Sequence, residues 1–137
     1  MRIIVDANII FAALIRDSAT RRILFHPKFE FFVPDFIFEE INENMNIISS
    51  KTGMTQEKIK ELLEIIKNRA LTFPYSFYRS NIKSAEEIIG KIDKKDVPYV
   101  ALALSMNNDG IWSNDKHFLR QKKIKIWQTE ELLGLID

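Results

Sequence analysis

The chain has 137 residues, 46% of them apolar, enough for one domain with a core that needs no covalent staple. It has no cysteine, which removes disulfides, thiolate zinc sites and cysteine nucleophiles, and which fits a reducing, cytoplasmic setting. A net charge of +1 is not the basic excess of a strong nucleic-acid binder, so any positive surface for such a partner must be local. Two local concentrations exist, Arg16, Arg21 and Arg22, then Lys116, Arg120, Lys122, Lys123 and Lys125. On sequence alone both read as solvated surface charge.

The first apolar run, Ile3-Ile4-Val5, is interrupted by Asp6 and Asn8, and no small-residue cleavage site follows it, so no targeting segment is expected. Nor does any stretch approach the roughly 20 apolar residues of a membrane span. There is no internal repeat, low-complexity segment or linker, and residues 1–137 read as a single domain.

Ile3-Ile4-Val5 is predicted as a strand buried on both faces. A helix follows over residues 8–15, and Ser18 is positioned to cap a second, ending near Phe25 before Pro27. Phe31-Phe32-Val33 is the next strand. Pro34-Asp35 opens a helix that keeps Ile37, Ile41, Met45 and Ile48 near one face. Residues 55–69 form the clearest helix, with Thr55 as cap and Ile59, Leu62, Leu63 and Ile66 as its stripe. Leu71-Thr72-Phe73 is a third strand. Ser84 and Glu87 match a capping box ahead of Ile88 and Ile89. Pro98 is harmless only in the first turn of a helix, which therefore starts near Asp93–Asp96 and runs to about Asn107, with Gly110 closing the turn after it. Ile111-Trp112-Ser113 and Ile124-Lys125-Ile126-Trp127 are the last strands. A helical turn over 116–121 separates them, and a helix over 129–135 closes the chain. Alternating strands and helices predict an α/β fold, with a parallel sheet, right-handed crossovers and helices on both faces.

In open α/β sheets, ligands bind beyond the carboxyl ends of the strands. The first strand runs directly into Asp6, and the fourth runs through Ser113 and Asn114 into Asp115. Glu40, early in the helix after the second strand, and Asp96, at the start of the helix before the fourth, can reach the same edge. Carboxylates this close raise one another's pKa, so the group must take up protons or a cation. Oxygen-only ligands select a hard ion, Mg²⁺ or Mn²⁺. Such an ion activates water and offsets phosphate charge, which suits phosphodiester hydrolysis. Each acid has a plainer reading: Asp6, Asp96 and Asp115 as turn or cap residues, Glu40 as a solvated helix glutamate. The constellation carries the inference.

Val5-Asp6-Ala7-Asn8 resembles the opening motif of PIN domains. The segment from Pro34 to Ile41 looks like their second motif, Asp96-Val97-Pro98-Tyr99-Val100-Ala101-Leu102-Ala103-Leu104 like the third, and Trp112-Ser113-Asn114-Asp115-Lys116-His117-Phe118 like the fourth. The four occur in order over essentially the whole chain. The resemblance implies a three-layer α/β/α sandwich around a central parallel sheet, and an Mg²⁺- or Mn²⁺-dependent endoribonuclease acting on RNA. By motif, Asp6, Glu40, Asp96 and Asp115 would be the catalytic, metal-binding acids, with Asn8, Ser113 and Asn114 supporting them. Glu39 competes with Glu40, since adjacent helix residues point about 100° apart; Glu40 directly precedes Ile41, as the motif has it. Asp93, one turn before Asp96, competes with it or supports it. Many small members are toxins paired with a DNA-binding antitoxin and are often dimeric, so an antitoxin partner and a homodimer are further implications. The helix over 55–69 is extra, and is a candidate clip over the substrate groove or dimer contact.

Other folds with acidic edges fit less well. A receiver domain wants adjacent acids after the first strand, and a haloacid-dehalogenase-type phosphatase wants a second aspartate where Asn8 stands. No glycine-rich phosphate loop exists. His26 and His117 are isolated in sequence, without the partner set of a zinc site; His117 is near the acidic edge, where it could touch RNA, but reads better as a surface residue. A catalytically silent PIN scaffold that binds a protein or RNA partner is the alternative from another class, although a scaffold has no reason to keep mutually repelling acids. Of the ten phenylalanines, the group at Phe25, Phe29, Phe31, Phe32, Phe36 and Phe38 is expected to be mostly core.

Overall fold

The short apolar runs become five parallel strands, and the stretches between them become the helices that cover the sheet. The computed structural model describes residues 1–15 and 18–137; Arg16, singled out above, lies outside them. The first half of the chain holds β1 (Arg2–Val5), α1 (Ala7–Leu14), α2 (Ser18–Leu24), β2 (Glu30–Pro34), α3 (Phe36–Glu43), α4 (Met45–Thr52) and α5 (Gln56–Lys67). The second half holds β3 (Ala70–Phe73), α6 (Tyr75–Tyr78), α7 (Ile82–Ala85), α8 (Val97–Ser105), β4 (Ile111–Trp112), β5 (Ile126–Trp127) and α9 (Thr129–Gly134). Between α7 and α8 lie a π turn at Glu86–Gly90 and a 3-10 turn at Lys94–Asp96, and a 3-10 turn at Lys116–Arg120 joins β4 to β5.

The strand order is β3-β2-β1-β4-β5, with every pair parallel. The chain adds strands outward on one side of β1, then returns and builds the other side. Right-handed crossovers with such a reversal put the connecting helices on opposite faces. On one side α1 packs against α2 and α5, with α3 and α4 beside it and α9 against α2. On the other, α6 and α7 pack on α8, which crosses β1, β2 and β4. The result is the expected α/β/α sandwich. Ile3, Ile4, Val5, Phe31, Phe32 and Val33 are all buried, which explains why β1 and β2 are continuous apolar runs and not alternating ones. Phe29, Phe31, Phe32 and Phe38 are core, while Phe25 is exposed. No helix among the described residues is long and apolar enough to cross a membrane.

The structure departs from the sequence-based expectations in four places. The stripe Ile37, Ile41, Met45 and Ile48 is buried as predicted, but its helix breaks at Asn44. The Asn44 side-chain amide donates to the Glu40 carbonyl at 2.8 Å, occupying the acceptor that a continuous helix would offer the Asn44 backbone, whose N–H goes to Ile41 instead. Ser84 and Glu87 form no capping box: the chain is helical from Tyr75, and Ser84 lies inside α7. The last strand is shorter than residues 124–127, because the Gln121 side chain binds both the N–H and the carbonyl of Ile124, at 2.8 Å each. Finally, α5 is capped by Thr55 as expected, but it buries Ile59, Leu63 and Ile66 against the core and supplies no wall of the cleft described below.

Candidate active site

The register of β1 and β4 pairs Val5 with Trp112, so the residues that follow, Asp6 and Ser113, stand side by side at the carboxyl edge of the sheet. This is the point where strand order reverses, the place such sheets leave open for a ligand. Ser113 Oγ donates to Asp6 Oδ2 at 2.6 Å and itself accepts the backbone N–H of Asp115 at 3.0 Å. Asp6 Oδ1 accepts the N–H of Asn8 at 3.2 Å and so caps α1. Asp6 is thus both a helix cap and a buried carboxylate with a donor on each oxygen. Burial raises its pKa, the bonds from Ser113 and Asn8 oppose that rise, and the Asp115 charge adds to it.

Asp96 ends the turn that leads into α8, where Pro98 occupies the first helical turn as predicted. It is only 5% exposed, and its Oδ2 is buried without a hydrogen-bond partner. Its pKa is pushed up to about 8, by burial first and then by the charges of Asp93, Asp6 and Asp115. Such an oxygen carries an unmet need for a proton or a cation.

These residues wall a pocket of about 500 Å³. All four predicted acids, Asp6, Glu40, Asp96 and Asp115, line it, together with Asn8 and Asp93. Glu40 is half-buried in the wall, while Glu39 is exposed and outside it. Asn114 turns elsewhere: its side chain donates to Thr129 Oγ1 at 2.9 Å and accepts the Thr129 N–H at 3.0 Å, fixing the start of α9. Trp112 Nε1 reaches the same Oγ1 at 3.0 Å.

Four further residues belong to this neighbourhood: His117, read from sequence as a surface residue, and Tyr99, Lys51 and Lys95, which sequence reasoning did not single out. His117 places Nδ1 at 3.2 Å from Asp93 Oδ2 and 3.7 Å from Asp115 Oδ1. Among the described residues, Asp93, Asp96, Asp115 and His117 offer ligand atoms that all lie within 4.8 Å of one another. The signal was its place two residues after Asp115, on the turn that Asp115 caps. Tyr99 is 3% exposed and lines the pocket. Burial, then the charges of Asp6 and Glu40, hold its pKa well above the ordinary value, so it stays a donor. Its spacing of three from Asp96 puts both on one helical face. Lys51 and Lys95 bring positive charge to the pocket wall. By contrast, Arg21 is spent on the Ala13 carbonyl and Arg22 pairs with Asp137.

The donor set suits a hard dication: several carboxylates, one with a buried free oxygen, around a pocket large enough for water and a phosphate. No curated protein matches the chain significantly. The PIN-domain family model, however, matches residues 4–135, a span that holds β1, β4 and every acid of the pocket. On that match the chain belongs to the PIN-domain family, whose members are generally nucleases.

Proposed function

We propose that the protein is a metal-dependent endoribonuclease that hydrolyses RNA phosphodiester bonds in this pocket, with Asp6, Glu40, Asp96 and Asp115 holding Mg²⁺ or Mn²⁺. The observation that carries the proposal is Asp96, a buried carboxylate with an unpartnered oxygen among four other acids of the same pocket. A silent scaffold gains nothing from that arrangement, which destabilises the fold until something positive arrives. Bound there, the ion would supply an activated water and offset charge on the phosphate.

The chain's own residues have separable tasks. Ser113 and Asn8 fix the Asp6 carboxylate, so it meets a cation without losing side-chain freedom. Asp96 would hold the cation in place of a proton. Glu40 approaches from α3, and Tyr99 remains a neutral donor toward the phosphate or an ordered water. Lys51 and Lys95 attract the RNA backbone, supplying locally the positive charge that the net charge lacks. The preference for RNA, the toxin role, the antitoxin partner and the homodimer rest on the family resemblance. A cytoplasmic setting fits the absence of cysteine. A neighbouring gene for a short DNA-binding protein would favour the toxin role, and a solitary gene would favour RNA processing.

The test is cleavage of a labelled mixed-sequence RNA with Mn²⁺, Mg²⁺ or EDTA, comparing wild type with Asp96→Asn. Cutting that needs the ion and disappears in the variant is the expected result. Cutting that persists in EDTA, or in Asp96→Asn, overturns the proposed centre.

A further inference from the structure

We propose that a second pocket, across the Lys94–Asp96 turn from the acids, is a nucleobase subsite for the RNA strand that selects a base with an exocyclic amino group over uracil. The proposal rests on RNA being the ligand of the carboxylate centre argued above.

The second pocket, of about 550 Å³, is lined by Glu86, Gly90, Lys91, Lys94, Val97 and Pro98. Lys94 and Lys95 are consecutive on one 3-10 turn; Lys94 lines this pocket and Lys95 lines the acidic one. The turn is held in place, because Asp93 Oδ1 accepts the Lys95 N–H at 2.9 Å. An RNA strand with a phosphate at the acids therefore reaches the second pocket by crossing a single turn of backbone. Among the described residues, Lys91, Lys94 and Lys95 form no ion pair, so their charge is free for phosphates along that path.

The floor of the pocket fits a base. Gly90, Val97 and Pro98 make it apolar, and Gly90 leaves it open. A Cβ at Gly90 would meet Glu86 Cβ at 3.4 Å and Val97 Cγ2 at 3.9 Å, so a longer side chain would enter the space these residues enclose. Gly90 is not among the glycines with positive φ, so the backbone does not require it. It also ends a π turn within a largely helical segment, where glycine is unfavourable and where such turns mostly mark functional sites. Glu86 supplies the acceptor, likewise without an ion pair among the described residues. A carboxylate accepts from the amino group of cytosine and is repelled by the carbonyl oxygen that uracil carries in its place. The plainer account is a solvated face with three lysines. That account leaves Gly90 unexplained and gives no preference between bases.

The experiment measures binding of short labelled oligocytidylate and oligouridylate to the whole protein by fluorescence anisotropy, with Ca²⁺ to offset the acids. Wild type is expected to hold the cytidine oligomer about tenfold more tightly. Glu86→Gln should remove the difference; loss of its charge alone would shift both oligomers equally and keep their ratio. Lys94→Gln should weaken both equally and lower the salt dependence by about one phosphate contact. Gly90→Leu should fill the pocket and remove the preference. Equal binding of the two oligomers by wild type, or a preference that survives Glu86→Gln, overturns the subsite and leaves Mn²⁺-dependent cleavage standing by itself. No binding of either oligomer also overturns the subsite. A preference without cleavage in Mn²⁺ or Mg²⁺ upholds the subsite and removes the hydrolysis.

Discussion

Ser113 Oγ donates to Asp6 Oδ2 at 2.6 Å across 107 residues of sequence, tying together the carboxyl ends of the two strands where the sheet reverses direction. Both residues are buried, so the bond has no water to replace it. Ser113→Ala should cost about 1–3 kcal/mol, the penalty for an unmatched buried acceptor. It should also weaken Mn²⁺ binding about tenfold, because Asp6 loses its orientation. Ser113→Thr keeps the hydroxyl and should retain most of both. Thermal melting and Mn²⁺ titration read the two effects, and an alanine variant that matched wild type in both would remove Ser113 from the site.

Asp96 makes the metal-free protein sensitive to pH in a defined direction. Its pKa in the folded protein is about 8, above the ordinary 3.8, so the folded state holds the proton more tightly than the unfolded chain. The stability from that proton is fully present below about pH 4 and is lost as pH rises through about 8. In EDTA, the melting temperature should therefore fall across that window. Mn²⁺ should reverse the fall, since the ion replaces the proton. Asp96→Asn should flatten the profile and stabilise the metal-free protein at pH 8 by about 1–3 kcal/mol. A wild-type profile already flat in EDTA would show that Asp96 is not held protonated.

The strands and the acids that end them were legible because both are local patterns. Ile3-Ile4-Val5 has to be buried, and a charge placed directly after it has to be accommodated at the sheet edge. Pro98 fixed the start of α8, and with it Asp96. What stayed hidden depends on side chains reaching back to the main chain or across the fold. Asn44 breaks a helix through a bond to Glu40, Gln121 shortens β5 through bonds to Ile124, and Asn114 turns to Thr129 and away from the pocket. His117 looked isolated because its neighbour Asp93 lies 24 residues away in sequence.

Glu39 and Glu40 give a sharp contrast within one helix. Glu40 lines the pocket and its neighbour is exposed, outside the wall. Glu40→Gln should lower RNA cleavage at least tenfold while leaving the melting temperature within a few degrees of wild type. Glu39→Gln should change neither. The reverse order of rates would assign the site to Glu39 and would require α3 to rotate by about 100° from its position here.

Gly110 links backbone geometry to the site. Its φ of 131° is one that side chains rarely adopt, and a Cβ there would collide with the Lys125 carbonyl oxygen and meet Trp127 Cδ1 at 3.0 Å. That carbonyl accepts the Ile111 N–H at 2.9 Å, the bond that starts the pairing of β4 with β5. Gly110→Ala must therefore strain the backbone and also push β5 away from β4, three residues before Ser113. It should cost about 2–4 kcal/mol and weaken Mn²⁺ binding as well, because Ser113 and Asp115 move with β4. Thr55→Ala is the matched control. It removes the cap that holds the Lys58 N–H at 3.2 Å, on a helix that contributes nothing to the pocket wall. It should cost about 1 kcal/mol and leave Mn²⁺ affinity unchanged. If Gly110→Ala lost stability without losing affinity, the site would be held by β1 and α8 alone, and the strand pairing would not set its geometry.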